Sequence, residues 1–312
     1  MLSLYVRLSL LAEALAYVLI VHGLHRLYDW DYAGLAAGAL GAALASRLLL
    51  VCVSTAIGHV ARSPRTPEQR IGIAATVAMM LREWRAVLVT NFFCLPWESL
   101  AVRPDPQAVP SGRVPIILVH GYFSNRGFFR WLVRALEARG VGPIFTPDFV
   151  AAFATIERFA EDLHREIERI AATTAQAQVV LICHSMGGLA ARAYLCAHGS
   201  ARVRKLVTIA SPHNGTVQAR FGAGPSATQM RQGSRFLAGL SEQEDRRGPP
   251  CALTSVYSPH DNLVAPQDSA RLAWARNIAI PGCGHIDILG SELLADIVVE
   301  ELREAGVEAP GR

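Results

Sequence analysis

The chain has 312 residues, room for one sizeable core and an appendage, and a net charge of only +4. Hydrophobic residues make up 51% and charged residues 18%, an apolar balance for a wholly soluble protein. Lys205 is the only lysine and no basic stripe is interleaved with aromatics, which argues against nucleic acid as a partner.

Two apolar stretches, Leu2 to Gly23 and Ala33 to Gly58, each approach the ~20 residues that cross a bilayer. A short polar turn with interfacial aromatics (Tyr28, Trp30, Tyr32) separates them, so residues 1–60 are expected to form a transmembrane helical hairpin. A signal peptide at the first stretch is the alternative, weakened by its feebly basic start and by the second stretch close behind. Glu13 and Arg47 fall inside the two spans, where an unpaired charge is costly, and are expected to face each other. Arg62, Arg65 and Arg70 follow the second span while the turn carries Arg26 alone. The positive-inside tendency then puts both termini, and the globular domain, on the cytoplasmic side of a bacterial inner membrane.

Residues 61–110 read as a helical, proline-rich connector. Ile71 to Phe93 has an apolar-rich helical pattern carrying Arg82, Glu83, Trp84 and Arg85, suited to a membrane surface or to packing on the domain. Prolines 96, 104, 106 and 110 mark an extended link, with the domain boundary expected near Arg103 to Pro110.

Over residues 111–312 strands and helices alternate. Strands are expected at Pro115 to Val119, Gly142 to Pro147, Val179 to Ile182, Val203 to Ala210, Ala252 to Tyr257 and Arg276 to Ile280. Helices are expected at Phe128 to Arg139, Thr155 to Thr173, after Gly188, and at Ile288 to Ala305. Such alternation predicts an α/β fold, a mostly parallel sheet covered by helices on both faces. Sites on these sheets lie at the carboxyl ends of strands.

At one such end lies Cys183-His184-Ser185-Met186-Gly187-Gly188. A buried strand turning sharply into a helix through a serine flanked by small residues is a nucleophile elbow. The turn lifts the hydroxyl to the sheet edge, where the N–H groups of a helix amino terminus can meet a developing oxyanion. Cys183 stands where a glycine is usual, a small-for-small exchange.

Four motifs together resemble lipases and esterases of the α/β-hydrolase fold, including bacterial triacylglycerol lipases. They are Leu118 to Tyr122 (LVHGY), Cys183 to Gly188 (CHSMGG), Ala210 to Thr216 (ASPHNGT), and His260 to Val264 (HDNLV) paired with Gly282 to Leu289 (GCGHIDIL). Their order Ser…Asp…His is that of the fold; the first hundred residues lie outside the likeness. The resemblance implies Ser185 as nucleophile, His285 as general base and acid, and Asp261 as the carboxylate orienting it. It implies the backbone N–H groups of Tyr122 and Met186 as oxyanion donors. Asp268, Asp287 and Asp148 are weaker candidates for the acid, and His120, His184 and His213 are expected to be structural.

Residues 215–250 form a long insertion, rich in Gly, Ser, Gln and Arg, which in similar lipases caps the acyl pocket as a lid. Phe123, Phe128, Phe129 and Trp131 near the oxyanion turn would suit an apolar acyl chain. No phosphate loop, dinucleotide fingerprint or metal constellation is present in the sequence, so neither cofactor nor metal is expected. The expected activity is hydrolysis of lipidic carboxylic esters at a membrane. An acyltransferase or thioesterase on the same residues, or a non-catalytic membrane scaffold, are the alternatives.

Overall fold

A computed structural model describes residues 2–107, 112–149, 154–248 and 250–307. The expected domain boundary near Arg103 to Pro110 lies partly outside them.

Helices α1 (Leu2–Tyr28) and α2 (Tyr32–Val60) pair as an antiparallel hairpin, each long and apolar enough to cross a membrane. Asp31 starts α2 by accepting hydrogen bonds from the N–H groups of Ala33 and Gly34 at 3.2 and 2.6 Å. Arg47 does meet Glu13, in a bidentate pair whose Nη2–Oε2 distance is 2.6 Å. A charge that would be costly alone is thereby neutralised within the hairpin.

Behind the hairpin come α3 (Ile73–Val89), one wide turn at Thr90–Cys94 and the short α4 (Glu98–Ala101). Of the two placements expected for this stretch, α3 packs between the hairpin and the globular domain. Its Trp84 Nε1 donates to the carbonyl of Leu44 in α2 at 3.1 Å.

The domain alternates β1 (Ile116–Val119), α5 (Arg130–Ala138), β2 (Ile144–Phe145), α6 (Ile156–Thr174), β3 (Val179–His184), α7 (Met186–His198) and β4 (Val203–Ile209). Helices α8 (Gly224–Gln229) and α9 (Arg235–Arg247) lie in the insertion, followed by β5 (Leu253–Tyr257), β6 (Arg276–Ala279) and α10 (Glu292–Glu304). The six strands form one parallel sheet in the order β2-β1-β3-β4-β5-β6. Strand alternation splits the core between two faces. Ile116, Leu118, Val180 and Ile182 meet Leu132 and Leu136 of α5 and Val298 and Leu302 of α10. Ile117, Val119 and Leu181 meet Leu163 of α6, Leu189 of α7 and Leu240 of α9. Strands buried on both faces must be apolar along their length, which is why they stand out in the sequence.

The last helix begins at Glu292 rather than Ile288, because Ser291 caps it, accepting from the Leu294 N–H at 3.4 Å. The four residues before it form a tighter 3₁₀ turn instead.

Candidate active site

The elbow is built as its sequence suggests. Strand β3 ends at His184, and Ser185 takes φ 55° and ψ −127°, a conformation unusual for a residue with a side chain. Its N–H is held by the Ile209 carbonyl of β4 at 2.9 Å. A Cβ on Gly187 would lie 2.4 Å from the Val119 carbonyl oxygen, so α7 can leave the turn this close to β1 only with glycine there.

Three strand-end loops converge on the serine. Ser185 Oγ lies 3.1 Å from His285 Nε2. His285 Nδ1 lies 2.9 and 3.1 Å from the two carboxylate oxygens of Asp261. Asp261 and His285 are buried, Ser185 only partly. Asp261 Oδ1 also accepts from the N–H groups of Leu263 and Val264 at 2.7 and 2.8 Å, which fixes the carboxylate. Asn262 Oδ1 accepts from the His285 N–H at 3.0 Å, tying the acid loop to the histidine loop.

The hairpin braces this arrangement. Asn262 Nδ2 donates to Ser54 Oγ of α2 at 2.9 Å, and Gln218 of the insertion donates to the carbonyls of Ser54 and Asn262 at 3.0 and 2.9 Å. Gln267 Nε2 donates to the Asp261 carbonyl at 2.9 Å.

The weaker candidates are engaged elsewhere. Asp148 accepts from the Arg126 N–H at 2.7 Å, Asp287 pairs with Arg82 at 3.2 Å, and Asp268 sits in a 3₁₀ turn whose backbone reaches Ser63. His184 packs its ring 4.7 Å from that of His285 and bonds the His285 carbonyl, without reaching Ser185. His120 Nε2 accepts from the Phe149 N–H at 3.2 Å, and burial pushes its pKa down to about 4. His213 bonds Thr208 Oγ1 at 3.0 Å.

At Gly121 a Cβ would lie 2.9 Å from the Ser185 Cβ and 3.2 Å from the Met186 nitrogen, so the turn carrying Tyr122 abuts the elbow. Met186 opens α7, and its N–H is among those with no partner inside the helix. The Tyr122 hydroxyl spans to the insertion, donating to the Ala223 carbonyl at 2.8 Å and accepting from its N–H at 3.0 Å. Phe123 beside it meets Tyr5 of α1 edge-on, ring centroids 5.6 Å apart. Phe128 and Phe129, by contrast, are buried in the core. Trp131 lines a groove of about 350 Å³ on the outer side of the histidine loop, where Ser185 takes no part.

Burial alone would lower the His285 pKa, but the charge and hydrogen bonds of Asp261, with Glu83 behind, outweigh it and leave it raised. Any reaction that needs the neutral imidazole therefore loses rate as pH falls through a value above the ordinary ~6.5. The rate of Ser185 labelling by a fluorophosphonate against pH reads this directly; a midpoint below that value would contradict it.

Residues 115–245 match the sequence profile of the palmitoyl protein thioesterase family, a stretch that includes the elbow and ends before Asp261 and His285. Among curated proteins, "Lysosomal thioesterase PPT2" of Mus musculus is 28% identical over 137 residues, 42% of this chain and 45% of that protein. The Homo sapiens protein of the same name is 28% identical over 124 residues, 39% of this chain. The match thus spans less than half the length of either relative. Among solved structures, Aspergillus fumigatus lipase B superposes with a TM-score of 0.60 at 18% identity, covering 92% of this chain and 85% of its own. The chain has the α/β-hydrolase fold. Mature Bacillus licheniformis lipase BlEst2 shares it at a TM-score of 0.53 and 16% identity, over 64% of this chain and 93% of that one.

Sequence reasoning missed two polar residues that hold the site together. Asn262 stood in view inside HDNLV, but which partner it bonds depends on loops far apart in the chain. Glu83 gave no signal, set as it is between Arg82 and Trp84-Arg85 like a residue of a solvated helix face.

Proposed function

We propose that the chain is a membrane-anchored serine hydrolase that cleaves lipidic acyl esters through an acyl-enzyme on Ser185. The observation that carries this reading is the continuous line from Ser185 Oγ through His285 to Asp261, with contacts of 3.1 and 2.9 Å. Neutral His285 takes the serine proton as Oγ attacks the acyl carbonyl, and Asp261 stabilises the imidazolium that results. The N–H groups of Met186 and Tyr122 receive the negative charge of the tetrahedral intermediate, and removing one such donor typically costs ~10²–10³ in kcat. His285 then returns the proton to the leaving group, and a water attacks the acyl-enzyme by the same steps in reverse order.

Two further observations support a lipidic substrate. Leu11, Leu15, Val18, Leu19 and Leu40 of the hairpin are all exposed, and a lipid surface accounts for apolar area on that scale. Tyr5 at the start of α1 reaches Phe123, so the mouth of the site lies beside the hairpin. Residues 217–223 act as the cap: they lie between α2, through Gln218, and Tyr122, through Ala223. The profile match and the name shared by the curated relatives favour a second reading, in which the bond cleaved is an acyl thioester. A thiolate leaves more readily than an alkoxide, so the same residues serve both.

The full chain in detergent, given p-nitrophenyl esters from butanoyl to palmitoyl and a palmitoyl thioester, tests both readings. Rising kcat/KM with acyl length is expected. A preference of tenfold or more for the thioester would select the second reading, and an inert protein that also fails to take up a fluorophosphonate would overturn both.

A further inference from the structure

Behind the histidine loop sits a carboxylate from outside the hydrolase core. Glu83 of α3 is 2% exposed, and its two oxygens accept from the backbone N–H of Ile286 at 3.1 Å each and from that of Asp287 at 2.8 Å. These are the two residues after His285. The residue before it, Gly284, is pressed against the same side chain: a Cβ there would lie 2.4 Å from Glu83 Oε2 and 2.5 Å from its Cδ. The glycine in Gly-Cys-Gly-His is thus required by the carboxylate beneath it. The loop also borders an open groove, where Cys283, Ile286 and Asp287 face Arg82, Arg85 and Ala86 of the same helix.

We propose that Glu83 is a positioning residue for His285, clamping its loop from below and serving as a second carboxylate behind the imidazolium. This rests on the reading of Ser185 and His285 as nucleophile and base. A buried carboxylate is stable only when it is hydrogen-bonded, and charge-assisted bonds to backbone N–H groups are among the strong ones. Two such donors on consecutive residues, the first shared between both carboxylate oxygens, fix the stretch of backbone that carries the imidazole. The sequence of contacts also continues outward: the next residue, Trp84, holds α2 through the Leu44 carbonyl. A single turn of α3 therefore connects the apolar hairpin to the catalytic base.

The charges around Glu83 are His285, Asp261 and Asp287 on the loops and Arg82 on its own helix, where Arg82 is engaged with Asp287 and the Gly282 carbonyl. Burial pushes the Glu83 pKa up to about 7, while the Asp287 N–H, His285 and the Ile286 N–H pull it down. In the anionic form it raises the His285 pKa alongside Asp261.

The test uses the full chain in detergent, three single variants and one double variant, read by kcat, KM and the pH dependence of fluorophosphonate labelling. Glu83→Gln keeps an acceptor for the loop and deletes the charge. The acid limb of labelling is then expected to move to lower pH, the direction that loss of a neighbouring negative charge requires. Glu83→Ala loses the clamp as well, and kcat is expected to fall at least about tenfold with KM little changed, the signature of a misplaced catalytic group. Gly284→Ala alone is expected to be as damaging, because its methyl collides with the carboxylate. In the Glu83→Ala background it should cost little more, a coupling that only direct contact produces. Well-folded Glu83→Gln and Glu83→Ala proteins with wild-type kcat and an unmoved acid limb would overturn the proposal. A wild-type protein that is folded yet takes no label would instead overturn the serine-hydrolase reading beneath it.

Discussion

Ser185→Ala is expected to abolish fluorophosphonate labelling and to lower kcat by about 10⁵–10⁶, the scale on which removing one member of a nucleophile–base unit acts. The loss should appear in kcat, with KM for a long-chain ester within a few-fold of wild type, because the hydroxyl makes its bond only during reaction. His285→Ala should do nearly the same, and the double variant should be scarcely worse than either, since the two residues share one step and their effects do not add. Folding should survive: among the described residues Ser185 Oγ bonds only His285, and Ala keeps the Cβ that Gly121 packs against. Folded Ser185→Ala protein retaining a tenth of the wild-type rate would place the chemistry elsewhere in the molecule.

The elbow and the six strands were legible in the sequence because each rests on local chemistry, whereas the meeting of Ser185, His285 and Asp261 was expected only from the family resemblance of the four motifs. A strand buried on both faces must be a short apolar run, and the residues that follow it at the carboxyl edge are then marked by position alone. What was not legible depends on contacts between distant segments. Glu83 sits in an Arg-Glu-Trp-Arg run that reads as a polar helix face, and its burial follows only from backbone donors some two hundred residues away. The start of α10 was misjudged because Ile288 and Leu289 are apolar and periodic with the helix, yet they are buried in the 3₁₀ turn before the Ser291 cap. Phe128 and Phe129 show the same ambiguity: an aromatic near a site can line it or fill the core below, and composition does not distinguish the two.

The insertion at 215–250 makes the second large prediction. Arg192 of α7 is fully buried, and its guanidinium forks onto Glu244 of α9, Nε to Oε1 at 2.8 Å and Nη2 to Oε2 at 2.7 Å. Its remaining nitrogen donates to the His213 carbonyl at 3.0 Å. One side chain thus joins the elbow helix, the loop after β4 and the far end of the insertion. Glu244→Gln would leave a buried cation without a counter-charge, and losing one partner of such a pair costs about 3–5 kcal/mol. At about 2–4 °C per kcal/mol for a domain of this size, Tm should fall by about 10 °C in detergent. The coupled change Arg192→Met with Glu244→Leu removes both charges together, and two apolar side chains of similar volume commonly restore what the ions held. Its Tm should therefore lie nearer wild type than that of either single variant, with Ser185 still labelled. A single variant that costs less than about 1 kcal/mol would mean the pair is reached by water, as exposed pairs are. The pair fixes the insertion at α9, while Gln218 and Ala223 tie its first part to α2 and Tyr122.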